Sequence, residues 1–234
     1  MNVEKIEAVF FNVLEDICDY LPDLTLVGGW MPYVYSSFLW KTSVRNPVTT
    51  VDIDFGVDQS VTRDYSRTIF ETLSSLDYKE HHLKMDRMFP INKIDKFDFL
   101  LKHRISISVH AKKKNKSFLI NCPKPSAFLY HKGATFIDRE NKEKQAKDLY
   151  YMYFILRYAP DMDLILREIF QYRQEGHLIS VPDNMDKFFE RVSSQGCLLV
   201  EQENGPDEYI HDVRHDIFDR FKRLRETLQR GGGN

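Results

Sequence analysis

Cysteine is scarce in this chain and poorly placed for cross-linking. Cys18, Cys122 and Cys197 form an odd, scattered set with no CxxC pair. That pattern excludes a disulfide framework and a zinc knuckle, and a reducing cytoplasm is the simplest home. No apolar run approaches the roughly 18 residues that a membrane span needs. The opening segment, MNVEKIEAVFFNVLEDI, carries acids inside its apolar pattern, so it does not read as a signal peptide. An excess of positive charge is also missing. Lysine and arginine number 33 against 35 acids, a formal net charge of −2. Any nucleic-acid contact would therefore need a local basic patch. There is no internal repeat, and the Gly231-Gly232-Gly233 tail is the only low-complexity stretch. What remains is a globular protein of 234 residues, enough for one large domain or two small ones.

Hydrophobic spacing divides the chain into two halves. Ile6, Val9, Phe10, Val13, Leu14 and Ile17 recur at helical intervals and predict an amphipathic first helix. Leu24 to Val27 has the length and composition of a strand. Gly28-Gly29 interrupts it, and Trp30 to Trp40 reads as a buried helix with Pro32 in its first turn. Thr49 to Val57 is β-branched and alternating, which predicts a central strand. A helix is expected over Thr62 to Leu76. Strands are expected over Arg87 to Ile91, Lys96 to Leu101, Ile105 to Val109 and Ser117 to Asn121. Beyond Pro123 and Pro125 the pattern turns helical, over Ser126–Phe136, Lys142–Tyr158, Met162–Glu175, Asp183–Ser194 and Asp207–Leu228. The expected fold class is α+β: a mixed sheet with flanking helices over 1–122, then a helical bundle over 123–234.

Chemistry concentrates around Asp52-Ile53-Asp54. Side chains alternate along a strand, so both carboxylates leave one face about 6.6 Å apart along the backbone. Two carboxylates side by side repel unless a cation lies between them. Magnesium prefers hard oxygen ligands and commonly takes one or two carboxylates plus substrate phosphates. Gly28 and Gly29 precede a helix, where absent side chains and free amides suit a phosphate. A two-metal arrangement requires a third carboxylate. Asp98, expected mid-strand in Lys96-Phe97-Asp98-Phe99-Leu100, is the candidate, with Asp95 the alternative.

Val27-Gly28-Gly29, Thr50-Val51-Asp52-Ile53-Asp54 and the later Asp98 resemble the G[GS]…DxD…D signature of DNA polymerase β-type nucleotidyltransferases. Within that superfamily the chain is most similar to the AbiEii-like branch, which includes toxins of toxin–antitoxin and abortive-infection systems. Arg45 and Thr49-Thr50 stand where the branch reads a basic residue and T/S-x-DiD. Pro125 to Lys132, followed by Lys147-Asp148-Leu149-Tyr150-Tyr151, is similar to its two helical motifs, although arginine is more usual at position 147. The likeness covers roughly residues 24 to 158. It implies the nucleotidyltransferase fold and a magnesium-dependent transfer of a nucleoside monophosphate to a hydroxyl, with release of pyrophosphate. By the same likeness, Asp52, Asp54 and Asp98 would hold metal. Gly28, Gly29, Thr50 and Lys132 would hold the triphosphate, and Asp148 would close the far side of the pocket. The acceptor would be an RNA 3′ end or a protein, and an antitoxin could be the partner.

Other readings stand beside this one. The fold could have lost turnover and serve as a module that binds a nucleotide or a partner protein. A phosphohydrolase would need a His-Asp metal cluster, for which His211-Asp212 and His215-Asp216 are the local material. His211 and His215 lie at i,i+4, but the Glu of an HExxH zinc helix is missing, so a solvated face is the plainer expectation. Asp148 could simply pair with Lys144 at i,i+4. Lys112-Lys113-Lys114 with Lys116 reads as a solvated hairpin turn rather than a nucleic-acid patch.

Overall fold

The structure is a computed structural model and describes residues 3–42, 52–57, 64–75, 96–205 and 210–230. The first helix, α1 (Val3–Asp16), presents Phe10, Phe11 and Leu14 inward. Strand β1 (Leu24–Val27) is buried along its whole length. A tight turn over Gly28–Trp30 leads into a short helix, α2 (Met31–Val34), and then into a wide helical turn over Tyr35–Leu39. Trp30 stacks on Phe10 with ring centroids 4.4 Å apart, which fastens this turn to α1. Two further elements follow, β2 (Asp54–Val57) and α3 (Ile69–Ser75).

A helix stands where a strand was expected. Phe97–Lys102 forms α4, with Lys96 in the left-handed region just before it and Phe99 and Leu100 buried. The run Phe97, Leu100, Leu101 also satisfies helical spacing, and so short an apolar segment cannot be settled by periodicity alone. The hairpin of β3 (Arg104–Ala111) and β4 (Lys116–Pro123) turns through Lys112–Lys114, as expected. Arg87 to Ile91 lies outside the described residues.

The four strands form one mixed sheet in the order β2-β1-β4-β3. β1 runs antiparallel to β2 with Val27 opposite Asp54, and parallel to β4 with Thr25 opposite Asn121. β3 and β4 pair antiparallel from Arg104–Pro123 to Ala111–Lys116. Among the described residues β2 is therefore an edge strand rather than a central one. It begins at Asp54, so Asp52 and Ile53 form the segment leading into it.

The helical half consists of α5 (Pro125–Thr135), α6 (Lys142–Tyr158), α7 (Met162–Gln174), α8 (Val181–Phe188), α9 (Gln195–Asn204) and α10 (Val213–Arg230). Pro125 occupies the first turn of α5, where its missing N–H costs nothing. Nearly every residue of α5 is buried, as expected of a helix surrounded by others. α8 ends at Phe188 rather than at the expected Ser194, and α9 is a helix that the spacing did not predict. Gly196 allows that close approach, because a β-carbon there would press on the Phe188 carbonyl and the Phe189 ring. One continuous core joins both halves, and the Tyr35 hydroxyl donates to the Pro123 carbonyl across them at 2.8 Å.

Candidate functional site

Two sequence-distant motifs meet at the end of β1. Pairing places Asp54 opposite Val27, one residue before Gly28. Gly28 adopts a positive φ of 74°. A β-carbon at that position would overlap the Asp54 carboxylate. Glycine is required here twice over, once for the left-handed backbone and once for the space beside the carboxylate. Gly29 follows in the same tight turn and is buried. A second glycine serves β2 directly: a β-carbon on Gly56 would collide with the Phe97 ring, which lies close over this strand.

The opposing wall is built by the end of α5 and the start of α6. Asn141 caps α6 by accepting from the Glu143 and Lys144 amides at 2.7 and 3.4 Å, which sets the direction of the first turns. Asp148 and Lys132 are both buried, at 4% and 6% exposure. The Lys132 ammonium donates to Asp148 Oδ1, and Arg139 Nε donates to Oδ2 at 2.8 Å. Lys132 also lies 5.6 Å from the Phe128 ring centroid and 6.0 Å from that of Tyr151. Asp148 therefore pairs with Lys132 and Arg139, and the i,i+4 pairing with Lys144 is not the one formed.

The two walls act on each other electrostatically. Partial desolvation of the Asp54 carboxyl by the surrounding protein, in a residue that is otherwise exposed, and then the neighbouring Asp52 charge, push its pKa up. The charges of Lys132, Arg139 and Lys144 pull it back down. Folding has thus brought Gly28, Gly29, Asp52, Asp54, Lys132 and Asp148 to one region. Arg139 joins them without having been singled out from sequence, and Lys144 joins them in a role other than the i,i+4 partner of Asp148. The available signal was the run of mixed charge from Asp138 to Lys144 at the start of α6, which is also what any solvated helix start looks like.

Other expected members fall elsewhere. Asp98 is exposed in the first turn of α4 rather than mid-strand. Among the described residues no three His, Cys, Asp or Glu side chains gather into a metal-binding group. Thr50 and Asp95 lie outside the described residues, as do Arg45 and Thr49. The His-Asp pairs of the last helix have local duties. Asp212 accepts from the His215 amide at 3.1 Å and its ring Nδ1 lies 2.7 Å away, so Asp212 caps α10. Asp216 accepts from Tyr153 at 2.6 Å and from Arg220 at 2.8 Å. Of the hairpin lysines, Lys114 and Lys116 both pair with Glu15. Among the described residues no helix is long and apolar enough to cross a membrane.

No family model, curated protein or solved structure matches the chain.

Proposed function

We propose that this chain transfers a nucleoside monophosphate from a nucleoside triphosphate to a hydroxyl acceptor, releasing pyrophosphate. One observation carries the reading: Gly28 at the head of a helical turn makes room for the Asp54 carboxylate, and three cations act on that carboxylate from across the site. An anion seat and a cation seat side by side suit a metal-bound triphosphate. Two neighbouring carboxylates, Asp52 and Asp54, suit magnesium that completes its shell with phosphates. When bound, that ion would neutralise phosphate charge and favour the ionised form of the acceptor hydroxyl.

The remaining roles belong to the chain itself. The amides of Gly28 and Gly29 would donate to phosphate oxygens. Lys132 and Arg139 would stabilise the charge that develops on the leaving pyrophosphate. Asp148 is a positioning residue that holds both cations in place. The α5–α6 wall would exclude water, which would otherwise consume the triphosphate. The acceptor oxygen forms its bond to the α-phosphorus as the bond to the bridging oxygen breaks, and the hydroxyl proton passes to solvent. On this reading residues 1–122 carry the metal ligands and 123–234 close the cleft. The motif resemblance favours an RNA 3′ end or a protein as acceptor, in a toxin regulated by an antitoxin.

Incubation with each labelled triphosphate, magnesium and a total RNA or protein pool tests this. The expected outcome is label on an acceptor with equimolar pyrophosphate, abolished in Asp52→Asn. Magnesium-dependent binding without transfer would favour a non-catalytic nucleotide-binding module. Absence of any such binding would remove both readings.

A further inference from the structure

Beyond Lys132, a band of aromatic rings leads away from the phosphate side of the site. Phe128 and Tyr151 lie under the Lys132 ammonium. Tyr151 neighbours Tyr150 at 6.2 Å between ring centroids, and Tyr150 neighbours Phe154 at 6.5 Å. Trp40 lies nearly parallel to Phe154, 6.4 Å away and tilted by 16°. Tyr35, 5.6 Å from Trp40 and 6.1 Å from Phe128, closes the band on itself. Phe154, Phe128 and Tyr35 are fully buried, which accounts for them as core. Trp40 and Tyr150 are only half-buried, at the point where the turn after α2 meets α6.

Two charged side chains come from the helices that carry or flank Tyr150. Lys147 precedes Tyr150 by one turn of α6. Glu203 comes from α9, which packs along α6. Burial raises the pKa of Glu203; the nearby Lys147 lowers it and Glu143 raises it. Glu203 also acts on the Tyr150 phenol, which burial pushes up to about 12. None of these groups has a part in holding phosphate.

We propose that Trp40 and Tyr150 form the seat of the nucleobase of the bound triphosphate, with Lys147 and Glu203 meeting the polar edge of the base. This inference rests on the nucleotidyl-transfer reading above. The chemistry matches in three respects. A nucleobase is a flat ring whose faces stack on aromatics whatever its sequence identity. Its edge presents both donors and acceptors, which the Glu203 carboxylate and the Lys147 ammonium complement. Its ribose and phosphates leave from one side, toward the Lys132 end of the band.

The test is calorimetric titration of the full chain, with magnesium, using the four ribonucleoside triphosphates, inorganic tripolyphosphate and a short RNA oligomer. Tyr150→Ala and Trp40→Ala should weaken triphosphate binding by about 5-fold to about 100-fold, the range of base–aromatic stacking. Their tripolyphosphate binding should match wild type, which also shows that the site has folded. Tyr150→Phe keeps the ring and should bind nearly as wild type. Glu203→Ala should change the ranking of the four triphosphates by about 10-fold for at least one base. Loss confined to the RNA oligomer would overturn the proposal, because the rings would then meet the acceptor strand and not the triphosphate. Unchanged binding of both nucleotide and oligomer by Tyr150→Ala and Trp40→Ala would overturn the proposal. If wild type binds neither triphosphate nor tripolyphosphate, the reading of the phosphate site itself falls, and the base seat falls with it.

Discussion

Asp148 holds two cations at once: the Lys132 ammonium donates to one carboxylate oxygen and the Arg139 guanidinium to the other. Taking the Lys132 ammonium out of water is expensive, and the buried Asp148 carboxylate offsets that cost, while Arg139 keeps much of its side chain in solvent. The arrangement also explains why α5 can bury a lysine near its last turn.

Asp148 should therefore be the more sensitive member of the group. Asp148→Ala leaves the buried Lys132 ammonium uncompensated and should destabilise the fold by about 3–5 kcal/mol. Lys132→Met should cost less, because Asp148 retains Arg139. Acid sensitivity follows from the same carboxylate. Burial pushes its pKa up, but the charges and hydrogen bonds of Lys132 and Arg139 outweigh burial and hold it below the usual carboxylate range. Its contribution is complete above the unfolded-chain value near about 3.9 and is lost as pH falls through the lower folded value. Urea unfolding at several pH values should show wild type losing stability in that acid range, with Asp148→Asn much flatter there.

Asp54 shows the opposite sign. Its raised pKa means that the folded chain holds this proton more tightly than the unfolded chain does. Its charge is a penalty that is absent below about pH 4 and fully present above the raised folded value. Asp52→Asn removes the repelling neighbour and should raise the melting temperature slightly at neutral pH, with no gain below about pH 4. The same variant should lose the thermal shift that magnesium and a triphosphate confer on wild type. An unaltered shift would exclude Asp52 as a ligand.

Gly28→Ala should be damaging out of proportion to its size. A methyl group would meet the Asp54 carboxylate and force a side chain into the left-handed region. Destabilisation of about 1–3 kcal/mol and loss of triphosphate binding are expected. Thermal unfolding and nucleotide titration on the same sample would measure both.

Lys132→Ala should slow transfer by about 10²-fold, because a fixed charge aimed at the leaving group is lost. Lys132→Arg should restore only part of the rate, since a planar fork replaces a compact ammonium within a closely packed pair. Single-turnover measurements at saturating triphosphate would separate this from weaker binding. A wild-type rate in Lys132→Ala would show that the wall contributes nothing to catalysis.

Strong periodicity made most elements legible before any coordinates. β1 and α6 fall where the spacing placed them, and the β3–β4 hairpin nearly so, because long or well-bounded patterns leave one solution. Gly28 and Asp54 were expected at one site, and the β1–β2 register does bring them side by side. α4 was misread because its short apolar run satisfies two periods at once, and only packing of Phe97 on Gly56 and burial of Phe99 and Leu100 select the helix. The edge position of β2 was equally hidden, since strand order depends on partners that the strand itself does not encode.

What the amino-acid sequence determined alone is therefore local: the long or well-bounded helices and strands, and which acids and glycines are unusual. Tertiary structure alone decided which charges share a site. Asp148 could have paired with Lys144 one turn away, as helix geometry permits. It pairs instead with Lys132 and Arg139, because burial between α5 and α6 strengthens that contact while Lys144 remains in solvent.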